Sequence, residues 1–458
     1  MRPWKLHTLI AAAFVASRVA FAYAGVKFDA TPLDEYWQYL DRRWLEHDLL
    51  RSTFYMHSQP PGFNLLLGAV LKVAPGAFQA LFLAMGLAVC LLAFGLMRRM
   101  GGGHRLSAGF TLLMMLSPTS VLLENRLFYD LLVQALLVGA AYALIRYLDE
   151  DRSIWLLLFC STVLALSITR SLFHFVWIAA IAAALAKAPR RLVVALGVTT
   201  VLAAVPAIKN KIVFDKLTPS TWLGMNFAHV VQGSTSHEVL QRLAASGEIS
   251  RVSLVRPFSS LAEYPADTRV PSRFEDVPAL SVATKASGKP NYNHYGYIAV
   301  SDLYLRDALV LLKLRPLTAV RGLGDALDRF MRPGSVEPLV AQNQLAIARY
   351  DAFWNRVVLG LIEPGPRKRI YLLLIAGTLI SLAFGSWLAT RESSSAAVTA
   401  RFMILTAAFV IIVGNALERD ENHRFRTYLA PFLITFLALG ATRVRDLWLA
   451  KTHRVLNS

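Results

Sequence analysis

The sequence predicts an all-α polytopic membrane protein of about ten transmembrane helices, with amphipathic interfacial helices in its first external loop and a larger external segment. Three observations predict this class. Of 458 residues, 55% are hydrophobic and only 17% charged, with mean hydropathy +0.45; soluble domains carry about 25% charged residues. Several apolar runs approach the roughly 20 residues needed to cross a bilayer. Basic residues cap every second boundary between those runs, which is the positive-inside pattern of membrane proteins.

The elements follow in order. Residues 6–25 form the first run, preceded by Arg2 and Lys5 and interrupted by Arg18. Ala22-Tyr23-Ala24 also resembles a signal-peptide cleavage site, a reading that Arg18 opposes. Residues 26–75 are then the first external loop. In it, Leu33, Tyr36, Trp37, Leu40, Trp44 and Leu45 fall on one helical stripe, which predicts a helix lying in the membrane interface with Asp34 and Glu35 in its first turn. The stretch YMHSQPPGFNLLLG (55–68) raises a question: why do hydrogen-bonding side chains stand at the mouth of an apolar helix? Pro60-Pro61 suits a helix start. His57, Ser58 and Gln59 are then held in the extended approach that a following proline enforces. Runs at 76–97, 106–123, 131–148, 154–169, 172–186 and 192–208 complete an N-terminal module, 1–208. Residues 209–369 read as one long external segment, in which 298–314 predicts an amphipathic helix on the membrane surface. Runs at 371–389, 402–417 and 428–442 make up a C-terminal module, 370–458. The basic caps place both termini in the cytoplasm.

The formal net charge of +18 does not point to nucleic acid, because much of it sits in those caps. Cys90 and Cys160 fall inside runs and read as small packing residues. GGGH at 101–104 reads as a cytoplasmic turn, and no nucleotide-binding glycine-rich loop is present.

Ionisable groups at membrane depth are expensive, so each is a functional candidate. On the outer side these are Asp34, Glu35, His57, Glu124, Arg126, Asp130, Arg170, His174 and the run ERDENHRFR, 418–426. Each also has an ordinary reading. Two carboxylates at a helix start complement the helix dipole, worth about 0.3–1 kcal/mol. Glu124 suits a solvated hairpin, Arg18 and Arg170 suit snorkelling side chains, and His57 suits a plain hydrogen-bonded role.

An acidic pair early in the first external loop (Asp34-Glu35), a Gln-Pro-Pro segment opening an apolar helix (57–68), a Glu-Asn turn (Glu124-Asn125) and a Glu-Asn-x-Arg-Phe-Arg turn (421–426) occur in that order on one face. In this the chain resembles the GT-C class of membrane glycosyltransferases, which includes the protein O-mannosyltransferases and the aminoarabinose transferase of lipid A. The resemblance covers most of the runs and is weakest over 210–369. It implies a GT-C-like fold and transfer of a sugar from a polyprenyl-phosphate donor to an acceptor hydroxyl on a lipid, glycan or protein, usually with inversion. The site would face the periplasm or exterior of a bacterial inner (plasma) membrane. It implies Asp34 or Glu35 as general base and Glu124 as a second carboxylate for positioning or metal binding; a divalent metal cofactor stays open. A leaving lipid phosphate calls for fixed cations, with Arg170, Arg424 and Arg426 as candidates and His57 and Lys209 behind them. Gln59 and His174 complete the substrate-binding candidates. The rival classes are a lipid-linked glycan flippase or transporter, with ionisable groups near mid-membrane, and a ligase using lipid-linked donors.

Overall fold

The computed structural model describes residues 3–336, 341–365, 368–391 and 394–456; Arg2 of the first basic cap lies outside them. Among the described residues the chain is mostly helical, with one two-stranded antiparallel ribbon, Leu361–Gly365 with Lys368–Tyr371.

Seven helices among the described residues are long and apolar enough to cross a membrane: Lys5–Tyr23, Phe78–Arg99, Asp130–Glu150, Arg190–Phe214, Leu372–Ala389, Ser395–Leu417 and His423–His453. An eighth is a bent pair, His104–Leu116 with Pro118–Glu124, broken by 60°. The cause is local: Pro118 excludes helical geometry from Ser117, whose ψ is 137°. Two of the ten runs expected from sequence are shorter. Residues 154–169 form Ser153–Thr169, of 17 residues. Residues 172–186 contract to Phe175–Ala184, because Arg170 and His174 are extended and flank a single 3-10 turn.

Burial sorts the long helices into layers. Asp130–Glu150 is 61% buried inside the protein and Arg190–Phe214 only 28%. On the latter, Val194, Val198, Val201 and Val205 form one exposed aliphatic face, the pattern of a helix that faces lipid.

The expected interfacial helix over 33–45 does not form as one piece. It breaks into Pro32–Glu35, Arg42–His47 and Leu49–Phe54. Asp41 stops the pattern by capping the second piece: its carboxylate accepts the Arg43 N–H at 2.9 Å. The extended link between the first two is pinned to helix Gly62–Val73, since Leu40 N–H donates to Asn64 Oδ1 at 2.9 Å and Asn64 Nδ2 donates to Gln38 O at 3.0 Å. That last helix begins directly after Pro60-Pro61, as expected.

The segment 209–369 has its own core. Helices Leu223–Gln232 and Gly296–Leu314 cross at Gly224, where an added Cβ would meet Ser301 O at 1.8 Å. Tyr297, Val300, Tyr304, Ala308 and Leu311 are buried here with Trp222 and Met225. The helix expected over 298–314 therefore exists, but its apolar stripe packs on protein rather than on the membrane surface.

Candidate active site

The last long helix begins at His423, and its first turn carries Arg424. Arg424 is held by Asp130 at the start of the central helix: Nε and Nη2 each reach the carboxylate at 2.9 Å, and Tyr428 Oη donates to the same carboxylate at 2.8 Å. Arg424 also pairs with Glu421 and lies 4.2 Å from the Phe128 ring centroid. Asp130 is thus the counterion that lets a guanidinium stand inside the fold.

Arg170 is different. It sits in the break between Ser153–Thr169 and Phe175–Ala184, bonds the Tyr129 hydroxyl, and lies 5.0 Å from the Tyr129 ring centroid. No described carboxylate pairs with it, and its Nε is buried without an acceptor. Glu418 is among the charges that act on it.

Arg170, Arg424 and Gln59 line one polar cavity of about 170 Å³, with Trp37, Gln38, Asn226, His229 and Glu418. A second cavity of about 150 Å³ shares Arg170, Ser171, Asn226 and Glu418, and adds His174, Leu172, Leu223, Val413, Leu417 and Phe425. Its apolar side depends on a π-helical turn, Val410–Gly414, which widens the preceding helix. Gly414 lets the Phe425 ring approach, since an added Cβ would lie 3.0 Å from it.

Glu418 borders both cavities. It is half-buried, its Oε1 accepts backbone N–H groups of Arg419 at 3.0 Å and Asp420 at 3.4 Å, and no described cation pairs with it. The neighbouring carboxylates are committed. Glu421 pairs with Arg424, and Asp420 lies 3.0 Å from His229 Nε2 and 3.2 Å from Arg329. The His229 hydrogen bond, helped by the charges of His229, Arg329 and Arg419, holds Asp420 at about 2.

The other sequence candidates fall elsewhere. Neither Asp34 nor Glu35 lines either cavity; the first loop reaches the polar one with Trp37, Gln38 and Gln59 instead. Asp34 is half-buried and Glu35 exposed; the backbone oxygen of Asp34 accepts from Ser287 Oγ at 2.6 Å. Glu124 is not a solvated hairpin residue. It is 2% exposed and grips Arg18 through two contacts of 2.5 Å, so the Arg18 expected to snorkel is buried as its counterion.

His57 is fully buried between Thr221 Oγ1 at 2.7 Å and Asn293 O at 2.9 Å. Burial, reinforced by Lys209, lowers it to about 3, so it stays neutral and ties the first loop to Thr221 and Asn293. His57, expected as a substrate ligand, lines neither cavity. Gln59 and His174 do reach cavity walls. Arg426 does not: two helical positions, about 200°, separate it from Arg424. It donates to Arg332 O and lines a separate cavity with Trp354 and Pro333.

Sequence reasoning missed Trp222, Asn226, His229, Arg256 and Phe258, which complete the polar cavity from the segment 209–369. That segment carries no motif spacing that would have singled them out. Among the described residues, no three His, Cys, Asp or Glu side chains gather as a metal-binding group. Comparison with protein-family models, with curated proteins and with solved structures finds no match.

Proposed function

We propose that the protein is a glycosyltransferase that takes a sugar from a polyprenyl-phosphate donor and passes it to an acceptor hydroxyl at the outer face of a bacterial inner membrane. One observation carries the reading: Arg170, a half-buried cation with no ion pair to a described carboxylate and a buried Nε without an acceptor, stands where a polar cavity meets an apolar one. A lipid phosphate satisfies both sides of that junction, with its charge on Arg170 and its chain along Leu172, Val413 and Leu417. Arg424 stands in the same polar cavity, but Asp130 and Glu421 already neutralise it, so the charge available to a phosphate is that of Arg170.

In this reading the acceptor oxygen bonds to the anomeric carbon as the carbon–oxygen bond to phosphate breaks. The electron pair leaves with the polyprenyl phosphate, and the acceptor proton passes to a carboxylate. We assign that role to Glu418, the cavity carboxylate without a cation partner, ahead of Asp34, which the resemblance to the GT-C class implies. The reading keeps about ten passages of the membrane, by counting the short apolar helices with the long ones, and puts 209–369 outside.

The test is to incubate purified protein with a panel of polyprenyl-phosphate sugars and acceptors and follow release of polyprenyl phosphate. Release that requires a matched donor supports the reading. Movement of intact lipid-linked glycan across a vesicle bilayer, with no release, would replace it with a flippase.

A further inference from the structure

One wall of the polar cavity is aromatic. Trp37 and Phe258 stack with ring centroids 5.0 Å apart and planes 23° apart, and Trp222 meets Phe258 edge-on at 5.2 Å. Phe258 stacks on Trp37 and Tyr292 lies 5.6 Å from it, tilted by 50°, yet Trp37 remains 43% exposed. Phe258 has φ +63°, a left-handed conformation that is strained for a bulky aromatic residue. The surroundings enforce it: the Tyr292 hydroxyl donates to Phe258 O, and Ser259 N–H donates to the Tyr264 hydroxyl at 2.9 Å. A backbone held this way to complete an aromatic stack at a cavity edge is the kind of strain that marks binding sites. Gln38, Asn226 and Arg256 stand in the same cavity wall and supply hydrogen-bonding groups beside the rings.

A sugar ring has the matching chemistry, an apolar C–H face and a rim of hydroxyls. We propose that the Trp37–Phe258 wall is a saccharide-docking subsite and that its occupant is a sugar ring of the acceptor, which makes the acceptor a glycan. The inference rests on the glycosyltransferase reading and narrows it. The acceptor is chosen over the donor on position. Arg170 borders both cavities, whereas Trp37 and Phe258 border only the polar one, away from the apolar groove assigned to the lipid chain. A serine or threonine hydroxyl of a protein, or a bare lipid alcohol, would leave the stack without a partner.

The experiment uses the full chain in lipid nanodiscs. Saturation-transfer NMR with a panel of methyl pyranosides and short oligosaccharides measures saccharide binding, and polyprenyl phosphate binding is measured in parallel. The expected result is saturation of ring C–H protons by the wild type, affinity about tenfold weaker in Trp37→Ala, and affinity restored in Trp37→Phe, as the loss and return of one aromatic contact requires. Equal binding by Trp37→Ala overturns the subsite. So does a wild type that binds no saccharide while still binding polyprenyl phosphate through Arg170, which leaves the glycosyltransferase reading standing. Loss of polyprenyl phosphate binding by the wild type would instead remove that reading, and the subsite as an acceptor site with it.

Discussion

Replacing Glu418, the proposed base, by Gln removes its carboxylate and little else. The native Oε1 accepts two backbone N–H groups of its own loop, at 3.0 and 3.4 Å, and a glutamine carbonyl oxygen can accept both. The lost stability should therefore stay within about 1 kcal/mol. Turnover is a different matter. A positioned base contributes about 10²- to 10⁴-fold, which is about 3–5 kcal/mol of barrier. Glu418→Gln should thus lose at least about 10²-fold in release of polyprenyl phosphate, with donor binding and melting temperature nearly unchanged. Asp34→Asn is the paired control. Asp34 lines neither cavity, so its variant should keep near-normal turnover. The reverse pattern, with full activity in Glu418→Gln and none in Asp34→Asn, would refute the assignment and return the base to the first loop. Full activity in Glu418→Gln, Asp34→Asn, Glu35→Gln and Glu124→Gln together would end the glycosyltransferase reading.

Four further outcomes follow from the same geometry. Arg170→Ala should weaken binding of polyprenyl phosphate and leave the fold intact, whereas Arg424→Ala strands buried Asp130 and should lower stability by about 3–5 kcal/mol in denaturant titrations. Arg18→Met should destabilise to a similar degree by leaving Glu124 unpaired, and Arg18→Met with Glu124→Leu should recover much of the loss. Lys285 is buried, and burial lowers it to about 8 despite opposing attraction from Asp41 and Asp34. Its unfolded form binds more protons between pH 8 and the ordinary lysine value, so stability should rise with pH across that window. The melting temperature of wild type relative to Lys285→Met should follow that rise, with about 3 kcal/mol as the upper bound. With Cys90 and Cys160 replaced, an impermeant thiol reagent should label Ser287→Cys, but not Arg105→Cys, on intact cells; the opposite pattern inverts the proposed topology.

Much of the helical framework was legible because composition and run length act locally. Runs 76–97 and 131–148 became Phe78–Arg99 and Asp130–Glu150, and Pro60-Pro61 opened Gly62–Val73. What failed was set by distant partners. The stripe over 33–45 obeyed helical spacing, yet Asn64 and Asp41 claimed the backbone between its two ends. Glu124 looked like a solvated turn residue because Arg18, 106 positions away, is invisible from its neighbourhood. Asp130 stood among the outer-side candidates with no partner in view, because Arg424 lies 294 positions on. Of the candidate site, Gln59, Arg170, His174 and Arg424 were found from their place at the ends of apolar runs. The aromatic wall and His229 were not, since only tertiary folding brings 222–258 to that place.

The polar cavity takes its walls from the first loop, from Arg170, from 222–258 and from 418–424. Its surface therefore exists only when segments from the beginning, middle and end of the chain are in place together. Any molecule that fills it binds the native state alone and shifts the whole unfolding equilibrium, by about 2.7 kcal/mol at a hundred times its Kd. The melting point of the protein is for that reason a sensor for its own ligand, and it needs no knowledge of the reaction: candidate saccharides and lipid phosphates can be ranked by how far each raises it.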